Sequence, residues 1–334
     1  MNDLGFIGRA DYRGVSPLIG FQTFQAGKLF RQSSAFAFSN HVWDFGGQSI
    51  FQGFGSGANV TFNNLWGVGF LARANPRYFD PWFTRGGPIA GVPEGWSLDV
   101  NGNSDTRRII WIGGDVSHSV DASGANTSTA NIQIDARPTA SVHVNFGPSL
   151  VVQHTTGQYV TTVADPLALA TYGQRYVFAD LHQTTVSLDT RVDWTLSTTL
   201  SVQVYAQPFV SAGHFTHLKE FARPGTYDFL IYGRDRGTVS YDPAAAAYTI
   251  GPDGPGPAPA FTVANPDFNL RSLRGNAVLR WEYRPGSALF VVWQQQRSDV
   301  QLLTNFEARR DLGAIFRQRA TNVFLVKATY WLGR

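Results

Sequence analysis

Apolar and polar residues alternate one by one along most of this chain. That pattern constrains the fold more than any other feature, because only an extended strand sends successive side chains to opposite faces. From Thr199 to Ser211, Leu200, Val202, Val204, Ala206 and Val210 share one face, while Ser201, Gln203, Gln207 and Ser211 share the other with Tyr205. Just upstream, Val186, Leu188, Val192, Trp194 and Leu196 oppose Ser187, Asp189, Arg191, Asp193 and Thr195. Three alternating charges on one face cannot enter an apolar core. They meet water, either outside a sandwich or inside a wet lumen.

The pattern recurs. Ala130, Ile132, Ile134 and Ala136 oppose Asn131, Gln133, Asp135 and Arg137, and Ala277, Leu279, Trp281 and Tyr283 oppose Asn276, Arg280, Glu282 and Arg284. Similar strands run through Ile110–Asp121 and Ser141–Phe146, with a shorter case at Phe36, Phe38 and Val42. Helical periodicity is confined to one short segment near 306–319. The connections fall into two kinds. Tight turns are expected at 26–28, 63–64, 101–103, 137–139, 197–198 and 284–286, where Gly, Pro, Asn and Ser gather. Long connections are expected near 76–93, 161–173, 217–268 and 298–319, all on the opposite side of the sheet.

Composition narrows the environment. Only 15% of the residues are charged and 14% are aromatic, against about 25% charged in average soluble domains. A lipid-facing belt removes the need for a solvated outer face. The chain has no cysteine, so disulfides and thiolate metal sites are excluded. A net charge of +3 gives no reason to expect nucleic acid as a partner. No apolar run reaches the roughly 18 residues of a membrane helix. The expected fold is therefore all-β: one antiparallel transmembrane β-barrel domain over 1–334, about 14 strands, with long extracellular loops. The 217–268 loop is the largest and is expected to be an extracellular hairpin with a flexible tip.

Aromatic residues such as Trp194, Trp281, Tyr283, Trp293, Tyr330 and Trp331 are expected near strand ends, as in an interfacial girdle. The final strand, Asn322–Leu332, ends in apolar and aromatic residues. It resembles the segment by which the outer-membrane assembly machinery recognises barrels. The competing architecture is a water-soluble sandwich or propeller, which also alternates. Long strands and scarce charge weigh against it.

Pro266-Asp267-Phe268-Asn269, followed by Arg274-Gly275-Asn276-Ala277-Val278-Leu279-Arg280-Trp281-Glu282-Tyr283-Arg284-Pro285-Gly286, resembles the C-terminal barrel of the bacterial domain of unknown function 5916 family. Asn2-Asp3-Leu4-Gly5-Phe6 and Thr84-Arg85-Gly86-Gly87-Pro88 resemble its earlier motifs. The resemblance implies an outer-membrane location. It also implies an upstream signal peptide and a domain similar to family 9 carbohydrate-binding modules, so the chain is expected to be the C-terminal part of a larger protein and its barrel to need further strands. The family supplies no catalytic residues and no cofactor to carry over.

Asp189, Arg191, Asp193, Arg280, Glu282 and Arg284 are the lumen-facing candidates, either lining a path for a polar solute or forming a cross-strand ion-pair ladder. Trp82, Phe83 and Arg85 are the loop candidates, either constricting the lumen, stacking on a sugar, or capping the structure. Asp115-Val116-Ser117-His118 offers no hydrolase site, since Ser117 and His118 face opposite sides. The expected role is non-enzymatic: binding, uptake or surface display of a solute or glycan, with the outer-membrane bilayer as partner. An outer-membrane hydrolase acting on carbohydrate and a structural anchor are the alternatives.

Overall fold

The computed structural model describes residues 10–332. Strands β1 (Tyr12–Val15) and β2 (Leu18–Thr23) lie end to end along β3 (Phe30–Asp44). The chain continues through β4 (Ser49–Phe62) and β5 (Gly67–Asn75), then a small hairpin of β6 (Tyr78–Asp80) and β7 (Ala90–Val92). Next come β8 (Gly95–Asn103), β9 (Ile110–Asp121), β10 (Asn126–Thr139), β11 (Val142–Ala164), β12 (Gln174–Thr195) and β13 (Leu200–Phe221). Four short strands follow, β14 (Phe229–Ile231), β15 (Thr238–Asp242), β16 (Ala247–Gly251) and β17 (Phe261–Ala264). The end of the chain holds β18 (Phe268–Arg284), β19 (Ser287–Gln301), helix α1 (Ala308–Arg317) and β20 (Thr321–Thr329).

Fifteen strands form one antiparallel sheet whose path runs β1-β3-β4-β5-β8-β9-β10-β11-β12-β13-β18-β19-β20, with β2 and β14 off the path. Among the described residues the sheet is open, since no pairing joins the β1–β2 edge to β20. The expected all-β, antiparallel character is thus present as a large open meander, close to the expected strand number. Among the described residues no helix is long and apolar enough to cross a membrane, which says nothing of strands.

Short connections gather at one end of the sheet, at 24–29, 63–66, 104–109, 140–141, 196–199 and 285–286. The long ones, at 76–94, 165–173, 222–267 and 302–320, lie at the other end with 45–48 and 122–125. Two turn positions need correction. Asn101-Gly102-Asn103 belongs to β8, and Arg137-Pro138-Thr139 to β10. The reversals come a few residues later, at 104–109 and 140–141. The Asn-Asp-Leu-Gly motif at 2–5 lies outside the described residues.

The register turns alternation into two faces. On one, Ile110 opposes Ala136, which opposes Val144, then Val192, Val204, Ala277, Trp293 and Phe324, an apolar row across eight strands. No second layer covers much of this face: Val100 is 44% exposed, Val116 61% and Phe324 72%. On the other face Asp135, Asn145, Arg191, Tyr205, Asn276 and Gln294 line up. Glycines on this polar face make room for large neighbours. A Cβ at Gly57 would sit 2.7 Å from the Phe70 carbonyl oxygen and 2.8 Å from the Phe36 ring. Phe36 and Phe38 therefore lie over glycines of β4 on the polar side. Trp293 sits mid-strand between Ala277 and Phe324 and not at a strand end.

β11, β12 and β13, of 23, 22 and 22 residues, are about twice as long as the 9–11 residues that cross a bilayer. Their far ends are covered on both faces. Val177, Ala179 and Leu218 pack with Tyr232, Ile250 and Val263, brought in by the 222–267 connection and its β15-β16-β17 sheet. Tyr176, Phe178 and Phe221 pack with Ala90, Phe83 and Phe229. The 222–267 segment is therefore a structured cap and not a loose hairpin: Ile250 is fully buried, and even Pro252, in the Pro-Gly run, is under 2% exposed.

Buried charges pin these covers. Arg175 donates to Asp165 and Glu220, all three are at most 5% exposed, and Tyr232 donates to Glu220 at 3.0 Å. Burial pushes the Asp165 carboxyl up, but the Leu167 N–H and the Arg175 guanidinium outweigh it and hold the group below the usual carboxylate range. Helix α1, close to the expected 306–319, docks on β18 through Asp311, which accepts from Arg271 and Arg310. Asp311 also accepts the Glu307 backbone N–H at 2.8 Å, closing the helix N-terminus that no side chain of Glu307 caps.

Candidate functional site

The polar face narrows to a groove of about 570 Å³ across β8 to β12. Register places Asn101 opposite Asp115, Asp115 opposite Asn131, Asn131 opposite Ser149 and Ser149 opposite Ser187. All five line the groove. Each sits there because alternation sends the odd-numbered residues of these strands to the polar side. Trp111, Gln133, Asn145 and Asp189 also line the groove.

Glycine gives the groove its depth. Gly147 lies opposite Asp189, leaving space where a side chain would stand. At Gly113 a Cβ would meet the Trp111 ring at 2.8 Å, so only glycine lets the indole lie along its own strand. The Trp111 Nε1–H is buried and has no hydrogen-bond partner among the described residues. Such a group costs free energy unless something accepts its proton.

The carboxylates are half-engaged. Asp115 Oδ2 accepts from Asn131 Nδ2 at 2.9 Å. Asp189 Oδ1 accepts from the Tyr205 hydroxyl and from Gln207 Nε2, both at 2.8 Å. Asp115 Oδ1 and Asp189 Oδ2 carry no hydrogen bond among the described residues, and no Lys or Arg lines the groove. The surface thus offers oxygen acceptors, amide donors and no positive charge.

Of the expected lumenal residues, Asp189 alone lines this groove. Arg191 and Asp193 pair with each other on one strand at 3.0 Å, as do Arg280 and Glu282. Arg284 donates to the Tyr330 hydroxyl at 2.7 Å. These charges follow the same polar face toward the tight-turn end; Arg191–Asp193 and Arg280–Glu282 pair within a strand, while His143 of β11 bridges Asp135 of β10 and Asp193 of β12. In the loop, Phe83 stacks on Phe178 with ring centroids 4.9 Å apart, inside the aromatic cluster. Arg85, at φ +56°, lies 4.3 Å from the centre of the Tyr159 ring, and buried Thr84 donates to the Pro88 carbonyl oxygen at 2.7 Å. Trp82 points outward, 63% exposed. The loop geometry is that of a cap. His118 bonds to Ser128 on the apolar-row side, away from Asp115.

Trp111, Asn131 and Asp115 were not singled out as one site by sequence. The signal was there: alternate Asn, Asp, Gln and Gly in four consecutive strands on the side opposite Val and Ile. A smaller cavity of about 310 Å³ opens at the long-loop end beside Arg77, Ser123, Arg223 and Tyr227. Its arginines are committed, Arg223 to Asp228 at 2.6 Å and Arg77 to Glu94 at 3.8 Å.

A family model described as domain of unknown function (DUF5916) matches residues 1–333. No curated protein and no solved structure matches.

Proposed function

The chain belongs to the DUF5916 family, and from that premise we propose that it acts as an outer-membrane β-barrel whose polar lumen binds or passes hydrophilic solutes, glycans among them. One observation carries this reading. Apolar rows run across the sheet and stay exposed while the opposite face is polar and glycine-lined. In water, such a face is an aggregation surface far larger than the patches soluble monomers tolerate. Against hydrocarbon it is the low-energy arrangement, with the charges gathered on the watered side.

The separation of short from long connections supports the same reading, since outer-membrane barrels keep short turns on the periplasmic side. So does β20, whose nine residues are all exposed and which ends the sheet as an unpaired edge. In the proposed barrel this edge closes the cylinder, and the strand is the contact for the outer-membrane assembly machinery. The role is binding or transport and not catalysis. Liposome swelling with sugars of graded size tests it. The protein is expected to admit small sugars and exclude large ones. Protein that never enters the vesicles would refute the proposal.

A further inference from the structure

We propose that the groove across β8 to β12 binds an uncharged, polyhydroxylated ligand and rejects anions, a specificity that rests on the solute-binding reading above. Three independent features of the groove select this class. Trp111 presents a half-buried indole whose ring occupies the space that a side chain at residue 113 would need, a Cβ at Gly113 falling 2.8 Å from it. A hydroxyl-rich ring supplies an apolar C–H face for the indole.

Asp115 Oδ1 and Asp189 Oδ2 are free acceptors, held in place because their other oxygens are tied to Asn131, Tyr205 and Gln207. Sugar hydroxyls donate to such oxygens, and a charged acceptor makes the stronger hydrogen bond. Gln133 also lines the groove, and its amide both donates and accepts. A polyol needs this mixture of donors and acceptors. A phosphate, sulfate or carboxylate needs only donors.

Charge supplies the rejection. The lining carries two carboxylates and no cation. An anionic ligand would approach Asp115 and Asp189 on a surface where like charges are not compensated. The volume of about 570 Å³ falls in the ordinary range of small-ligand sites, about 300–1,000 Å³.

The test is calorimetric titration of the detergent-solubilised full chain with maltotriose, chitotriose, a sulfated trisaccharide and spermidine. At least one neutral trisaccharide binds, the sulfated one binds at least about tenfold more weakly, and Trp111→Leu loses at least about tenfold in affinity. Asp115→Asn combined with Asp189→Asn keeps the shape of the groove. It narrows the neutral-to-sulfated ratio at least about tenfold and serves if Trp111→Leu fails to fold. Absence of neutral-sugar binding, stronger binding of the sulfated sugar or of spermidine, or an unchanged ratio in the double variant overturns the proposal. Because the titration needs no bilayer, it fails or succeeds independently of vesicle insertion.

Discussion

At the scale of single residues, the polar face is built by what glycine leaves out. Gly57 has the Phe70 carbonyl oxygen where its Cβ would stand, and backbone cannot step aside. Gly57→Ala is therefore expected to destabilise the protein by about 1–3 kcal/mol. Gly147→Ala, whose Cβ would meet nothing closer than 3.8 Å, is expected to be near neutral. Urea unfolding in detergent distinguishes the two. Arg175 works through charge, holding two buried carboxylates together. Arg175→Met leaves buried Asp165 without its ion-pair partner and Glu220 with Arg236 alone, at 3.2 Å, a change that costs about 3–5 kcal/mol. Faster hydrogen exchange across 165–173 would report it. The sign of the pH effect follows from Asp165. Its folded pKa lies below the unfolded one, so its stabilisation is complete above the unfolded value, about 3.9, and is lost as pH falls through the folded value. The cap is thus expected to open in acid, below about pH 4, which near-ultraviolet circular dichroism can follow.

At the scale of elements, alternation was legible and boundaries were not. Period two marks Leu200 to Ser211 and, with Val278 as the exception, Ala277 to Arg284, because each strand keeps one face apolar. Asn101-Gly102-Asn103 reads as a turn because asparagine and glycine are turn formers. Here the same letters serve a strand, whose polar face needs small residues and amides in the groove. The 222–267 cap was hidden for a related reason. Its strands are only 3 to 5 residues long, too short for periodicity to show beside a Pro-Gly run. Helix α1 was visible as a break in the alternation. Its anchor was not, since Asp311 meets Arg271 from 40 residues away. Asp311→Ala is expected to release the helix, because Arg271 would lose a buried partner. Limited proteolysis should then cut within 302–320 while the rest of the chain stays resistant. Equal resistance of wild type and variant would mean that the docking rests on apolar contacts alone.

At the scale of the whole molecule, the two faces of the sheet differ in the solvent that suits them. Val100, Val116 and Leu150 stand exposed in register while Asn101, Asp115 and Ser149 share the groove on the other side. A soluble protein would cover the first set with a second layer. The candidate site follows from this division, since a groove of amides and carboxylates is useful only where water and solutes reach it. The absence of cysteine makes the division directly measurable, because every introduced thiol is the sole one in the chain. The decisive experiment places single cysteines at positions 96 to 101 of β8, labels each with an environment-sensitive fluorophore, and reconstitutes the proteins in vesicles. Labels at 96, 98 and 100 are expected to be quenched by lipid-borne quenchers, and those at 97, 99 and 101 by water-soluble ones. Uniform quenching from water at all six positions would contradict the account.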